Sequence, residues 1–158
     1  MKITKYAAID IGSNALRLLI SNVIEYNKET ITLKNSLVRV PIRLGQDAFT
    51  TGIISKNNIK QITRTMKAFK SLMKVHDVTN YLAFGTAALR EAKNGKDVIN
   101  RVKKKSGINI QIIDGKKEAK IISNSNVFHG IDPKKTILYI DVGGGSTELS
   151  IIRNKNVL

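Results

Sequence analysis

The sequence predicts an α/β fold in which a mixed β-sheet is flanked by helices. Three observations carry this. The first forty or so residues hold short, β-branched apolar runs separated by turn chemistry, the pattern of a meander. From about Ser55 onward, helical and strand-like segments alternate, as in a sheet covered by helices. A last strand–turn–strand unit, Thr136 to Ile152, echoes the opening one.

Each element has a local reason. Tyr6 to Ile11 is an apolar run closed by Gly12 and reads as a buried strand. Gly12-Ser13-Asn14 is turn chemistry, and Ala15 to Val23 resumes as a second strand. Thr30 to Lys34, continuing to Val38-Arg39-Val40, supplies the third. Pro41 halts it, and the stretch from Leu44-Gly45 to Gly52 reads as a loop. Ser55 suits the cap of a helix whose Ile59, Ile62, Met66, Phe69 and Met73 recur at helical spacing, a stripe that reads as core. Val78 to Phe84 is a strand, Ala87 to Glu91 a short helix, and Asp97 to Lys105 a helix stopped by Ser106-Gly107. Ile108 to Ile113 alternates as a strand, and Asp114 caps a helix running through Ile122. Thr136 to Ile140 is a strand ending at Asp141, with Thr147 to Ile152 as its hairpin partner.

Composition narrows the function classes. The chain has 158 residues, 42% of them hydrophobic and 25% charged, enough for a packed core. No apolar run approaches the ~18 residues of a membrane span, and the N-terminus lacks the apolar stretch of a signal peptide. The absence of cysteine excludes disulfides and thiolate metal sites and fits a cytoplasmic location. The net charge is +15, from 27 Lys and Arg against 12 Asp and Glu. That balance suits a polyanionic partner, and a lysine-rich composition bias accounts for it equally well. The lysines are dispersed and aromatics are only 5%, which argues against a dedicated nucleic-acid binder. No GxxxxGK[ST] loop occurs, and His76 and His129 stand apart without metal-ligand spacing.

Four stretches carry candidate chemistry. Asp141-Val-Gly-Gly-Gly-Ser-Thr-Glu148 places Gly143, Gly144 and Gly145 where backbone N–H groups can line a concavity, and Ser146 and Thr147 add hydroxyls. Its flanking acids, Asp141 and Glu148, are suited to a divalent metal or to orienting water. Asp10-Ile-Gly-Ser-Asn-Ala-Leu-Arg17 is its echo, with Gly12, Ser13 and Asn14 in the turn and Arg17 able to reach back as a phosphate fork. Alone it would be an ordinary hairpin, but two such loops could clamp one polyphosphate from both sides. Gly85-Thr-Ala-Ala-Leu-Arg90 opens a helix where Arg90 could add a fixed positive charge for an anion, though a surface arginine on a helix is the better reading of this stretch alone. Glu118 lies in the first turn of the helix after Asp114, where a general base and a simple complement to the helix dipole both fit, the dipole being the better reading of the pattern alone.

Together these stretches resemble the exopolyphosphatase / guanosine pentaphosphate phosphohydrolase (Ppx/GppA) family. The resemblance runs through Asp10 to Leu18, Ile42 to Gly45, Gly52 to Ser55, Thr86 to Asn94, Gly115 to Ala119 and Asp141 to Leu149. It implies an actin-like (ribonuclease H-like) domain with a mixed five-stranded sheet, antiparallel meander plus parallel strands, and flanking helices. It implies hydrolysis of the terminal phosphate of inorganic polyphosphate or guanosine pentaphosphate, with Mg2+ as cofactor and a homodimer as the family's expectation. By position it implies Glu118 as base. Asp141 and Glu148 become acids that hold metal and position water, with Asp10 a further metal ligand. Gly12 to Asn14, Gly143 to Thr147, Arg17 and Arg90 become phosphate contacts, with Arg43 a weaker one. Lys117 and Asp114 depart from the family pattern around Glu118.

The domain expectation is a complete first actin-like domain over 1–127 and the first hairpin of a second, truncated one over 128–158. A chain so divided is expected to be a partial one, inactive by itself. An actin-like kinase or ATPase and a non-catalytic polyphosphate or nucleotide sensor are the competing functions.

Overall fold

The computed structural model describes residues 1–27, 29–123, 132, 135–144, 147–153 and 156–157. Strands β1 (Lys2–Ile11), β2 (Leu16–Tyr26) and β3 (Glu29–Val40) form the meander. Helices α1 (Leu44–Thr50) and α2 (Lys56–Val75) follow. Then come β4 (Asn80–Gly85), α3 (Ala87–Glu91), α4 (Gly95–Ser106), β5 (Gln111–Ile112) and α5 (Gly115–Ser123). Strands β6 (Thr136–Val142), β7 (Thr147–Arg153) and β8 (Asn156–Val157) close the described chain.

Two sheets result. The first has order β3-β2-β1-β4-β5, antiparallel across β3-β2-β1 and parallel across β1-β4-β5. It is the mixed five-stranded sheet that the sequence implied. The second is the antiparallel β6-β7-β8. Among the described residues no helix is long and apolar enough to cross a membrane.

Alternation decides which face of the first sheet is buried. Ile9 and Ile11 of β1, Leu16, Leu18 and Ile20 of β2, and Ala83 of β4 point into the core. Ile62, Met66 and Phe69 of α2 and Val98 and Val102 of α4 complete that core. Burying side chains of this size contributes roughly 1.5–3 kcal/mol each. The opposite face carries Asp10, Arg17 and Arg39 toward solvent at the end of the sheet where β1 and β4 stop.

The helix ends obey their capping chemistry. The Ser55 side chain accepts from the Asn58 N–H at 3.2 Å, so Ser55 caps α2 as its sequence position predicts. The Asp47 carboxylate accepts from the Ser55 N–H at 2.7 Å and from the Asn58 amide at 2.8 Å, tying α1 to the start of α2. Gly107 ends α4 in the left-handed conformation at φ 72°, which favours glycine.

Two elements differ from expectation. Residues 44–50 form a helix, not a loop. Leu44 and Ala48, one turn apart, are both buried, and α1 packs on α3, so tertiary burial overrides the turn signal of Gly45. Only Gln111 and Ile112 of the run Ile108 to Ile113 pair as strand. Their partners are Phe84 and Gly85, the last residues of β4, while Ile108, Ile110 and Ile113 are buried.

Candidate active site

The site lies beyond the carboxyl ends of the parallel strands β1 and β4, where an open α/β sheet leaves a crevice. The β1–β2 turn is closed by the Gly12 N–H donating to the Ala15 carbonyl at 3.1 Å. Gly12 therefore shapes the turn with its own amide. Below it, the Gly45 N–H of α1 donates to the Ser13 carbonyl at 2.8 Å, and Ser13 is buried. Beside it, the Thr86 N–H reaches the Ile11 carbonyl at 3.3 Å, joining the end of β4 to the same turn. The core helices thus fix the turn from two sides.

The second glycine turn comes to meet it. Gly144 lies so close to Asn14 that a Cβ at 144 would run into the Asn14 amide group. A larger residue at 144 would require the exposed Asn14 side chain to turn aside. Between the two turns is a cleft of about 320 Å³, lined by Asp10, Gly12, Ser13, Asn14, Arg17, Thr86, Glu118, Asp141, Gly143 and Gly144 among others.

Its charges are ordered. Arg17 stands directly across from Asp10 on neighbouring strands, and its Nη1 donates to the Asp10 carboxylate at 2.7 Å. Both side chains are about half exposed (48% and 44%), so the pair contributes only about 0–1 kcal/mol to stability. Its value is to aim the guanidinium. Glu118 arrives from the first turn of α5, anchored where its N–H donates to the Asp114 carbonyl at 3.0 Å. Asp114 also accepts from the Lys117 N–H at 2.8 Å, so the residue that departs from the family pattern serves as a helix cap. The Lys117 ammonium sits 5.4 Å from the centre of the Phe84 ring, turned onto the aromatic face.

Asp141, near the end of β6, supplies a third carboxylate to the cleft. Tyr139, two residues before it, shares its face of the strand. The Tyr139 hydroxyl is raised above its ordinary value by burial first, then by the charges of Asp141 and Glu118. Both acids therefore act on this one face of β6.

A model of the Ppx/GppA phosphatase family matches residues 28–158. The chain belongs to that family. Among curated relatives, it is 32% identical over 151 residues to a bifunctional 3-dehydroquinate synthase/phosphatase of Fusobacterium nucleatum, covering 92% of this chain and 22% of that protein. It is 28% identical over 147 residues to Exopolyphosphatase 1 of Mycobacterium tuberculosis, covering 92% of this chain and 42% of that one. The solved Aquifex aeolicus member of the Ppx/GppA family superposes with a TM-score of 0.82 at 26% identity, over 99% of this chain and 50% of that chain. An exopolyphosphatase of Cytophaga hutchinsonii superposes with a TM-score of 0.80 at 28% identity, over 98% and 48%. The chain thus spans half or less of the length of these relatives. The fold is the actin-like one that its Ppx/GppA neighbours share.

Placed on this Ppx/GppA frame, most residues singled out in the sequence meet at the cleft. Arg90 makes two contacts outside the cleft lining. Its Nη1 donates to the Ile113 carbonyl at 3.1 Å and its Nε pairs with Glu91 at 3.0 Å, so it braces the strand end that leads into α5. It is not among the described residues that line the cleft. Glu148 stands opposite Asp141 in the β6–β7 ladder, next to Thr147, which pairs with Val142. Gly145 and Ser146 lie outside the described residues. Thr86, which no charge or glycine motif marks in sequence, also lines the cleft, and its side chain makes no capping hydrogen bond to α3. The strand–turn–helix junction at Gly85-Thr86 was the signal available for it.

Proposed function

We propose that the protein carrying this chain removes the terminal phosphate of inorganic polyphosphate or guanosine pentaphosphate by attack of water. The observation that supports this reading is the meeting of two glycine turns and three carboxylates, Asp10, Glu118 and Asp141, around one cleft. In this reading residues 1–127 form one wall, and the β6–β7 hairpin begins the other.

The chemistry asks mainly for position and charge. The terminal phosphoryl group sits between the turns, with its oxygens facing the backbone N–H groups of Ser13, Asn14, Gly143 and Gly144. Arg17, aimed by Asp10, takes up the negative charge that spreads over those oxygens. Glu118 accepts a proton from the water that attacks phosphorus. The anhydride bond to the next phosphate breaks, releasing orthophosphate and a chain one unit shorter.

Among the described residues, no three carboxylates or imidazoles converge into a metal cage. Magnesium needs no such cage. It is held by one or two carboxylates together with substrate oxygens and water. The residues present fit that mode. Asp141 is the better placed ligand, because an Asp10 oxygen is already taken by Arg17, and Glu148 is the residue paired with Asp141 in the β6–β7 ladder. The ion, when bound, would neutralise phosphate charge.

The test is Glu118→Gln in the natural full-length protein. Phosphate release from polyphosphate and from guanosine pentaphosphate should fall roughly 10²–10⁴-fold, with substrate binding retained. Unchanged release would remove Glu118 from the role of base.

A further inference from the structure

A second basic region lies away from the cleft, where α2 and α4 pack against each other. Between their outer faces is a groove of about 390 Å³. It is lined by Lys56, Lys60, Arg64 and Lys67 of α2, by Arg101 and Lys105 of α4, and by Thr63. It shares no residue with the cleft. All six cations are exposed, and the described lining includes no carboxylate. Among the described residues none of the six is in an ion pair. Asp97, one turn before Arg101 on α4, does not pair with it. Lysines dispersed along the sequence thus converge on one groove in the fold.

Helix energetics work against this arrangement. Like charges four apart on a helix destabilise it, and the lining holds Lys56–Lys60, Lys60–Arg64 and Arg101–Lys105. Lys56 is the first residue of α2, where the positive end of the helix dipole disfavours a cation, and α2 has no acid in its first turn. Of the six, only Lys105 stands in a last turn, where the dipole favours it. Such a conflict between local energetics and the residues present is a mark of binding.

The groove's chemistry selects the occupant. Its walls are mostly aliphatic carbon, as lysine and arginine stems provide below their solvated heads. Thr63 donates its hydroxyl to the Ile59 carbonyl at 2.7 Å, within its own helix. A phosphodiester backbone has little apolar surface to lay on such walls, and the described lining offers no aromatic ring for a base to stack on. A flat bilayer surface does not enter a groove. An amphipathic helix with acidic flanks meets both demands, setting apolar side chains on the stems and carboxylates at the charged heads. The spacing agrees. At 1.5 Å per residue, Lys56, Lys60, Arg64 and Lys67 span about 16 Å of α2, and acids at i, i+4, i+8 and i+11 of a facing helix span the same length.

We propose that the α2–α4 groove docks an acidic amphipathic helix of another protein, at a site separate from the cleft and independent of its reaction.

The test uses the natural full-length protein and fluorescence anisotropy with three probes. One is a designed helical peptide with glutamates at i, i+4, i+8 and i+11 beside a leucine stripe. The second has the same composition, scrambled so that its acids share no face. The third is a DNA duplex of about 20 base pairs. The patterned helix should bind at least about tenfold more tightly than the scrambled peptide or the duplex. Lys60→Glu combined with Arg64→Glu should weaken it about tenfold or more. Phosphate release from tripolyphosphate should stay within about twofold of wild type. Lys60→Gln combined with Arg64→Gln, which introduces no acid, should give a smaller loss in the same direction and decides the matter if the charge reversal impairs folding. Equal binding of the two peptides would reduce the patch to unspecific charge and overturn the proposal. Tighter binding of the duplex would overturn it by assigning the groove to nucleic acid. Unchanged binding in both double variants, or no binding of the patterned helix at all, would overturn it as well.

Discussion

Gly45→Ala offers a sharp trial of how the core sets the cleft, because two ordinary rules disagree about it. Gly45 lies inside α1, where replacing glycine by alanine in a helix should stabilise by roughly 0.8–1 kcal/mol. A Cβ built there would stand 2.9 Å from the Ser13 Cβ and 3.0 Å from the Phe49 ring. Phe49 is 43% exposed and can swing away. Ser13 is 7% exposed, and its carbonyl is held by the Gly45 N–H at 2.8 Å, so it cannot. Carbon atoms rest at about 3.5–4.0 Å, so the turn must rise by about 0.6 Å or more. Overpacking of this kind costs about 1–3 kcal/mol. After the helix gain is subtracted, a net loss of about 1 kcal/mol remains, or a Tm lower by about 2–4 °C. The displaced turn is the cleft's own. A 1 Å misplacement can cost about 10²-fold in rate, so phosphate release should fall about tenfold. Thermal melting and steady-state phosphate release on the natural full-length protein measure both. A higher Tm with unchanged release would refute the claim that α1 sets the height of the Gly12–Asn14 turn.

Two further outcomes concern the tie between α1 and α2. Asp47→Ala removes the acceptor for Ser55 and Asn58 and should destabilise by about 1–3 kcal/mol in urea unfolding. In the wild-type protein, burial of Asp47 alone would raise its pKa, but hydrogen bonds from Ser55 and Asn58 outweigh this and hold it below the ordinary value of 3.8. Its stabilisation is therefore fully present above pH 3.8 and lost as pH falls through the lowered folded pKa. Urea midpoints measured from pH 6 downward should show this loss in the wild type and less of it in Asp47→Ala.

Much of this architecture was legible in residue order. The meander, the Ser55 cap and the Ile62–Met66–Phe69 stripe rest on periodicity and capping, which are local signals, and they stand where expected. Residues 44–50 carry the loop signals of Gly45 and Thr50, with Thr51 and Gly52 beyond. Their helix depends on burying Leu44 and Ala48 against distant parts of the chain. The site divides the same way. The two glycine turns announced themselves by their acids and hydroxyls. Their contact through Asn14 and Gly144 is a long-range event that no window of sequence contains. The positive charge of Arg90 is visible in sequence. That its guanidinium is directed to the Ile113 carbonyl is visible only in three dimensions. That Arg39 stands opposite Arg17 follows only from the β2–β3 register.

The proposed reaction depends on two turns, far apart in sequence, holding a single anion together. Amide resonances of the isotope-labelled protein, followed while tripolyphosphate and magnesium are added, address this directly. Ser13, Asn14, Gly143 and Gly144 should move together along one saturation curve with one Kd. Movement in only one turn, or two curves with different Kd values, would contradict it.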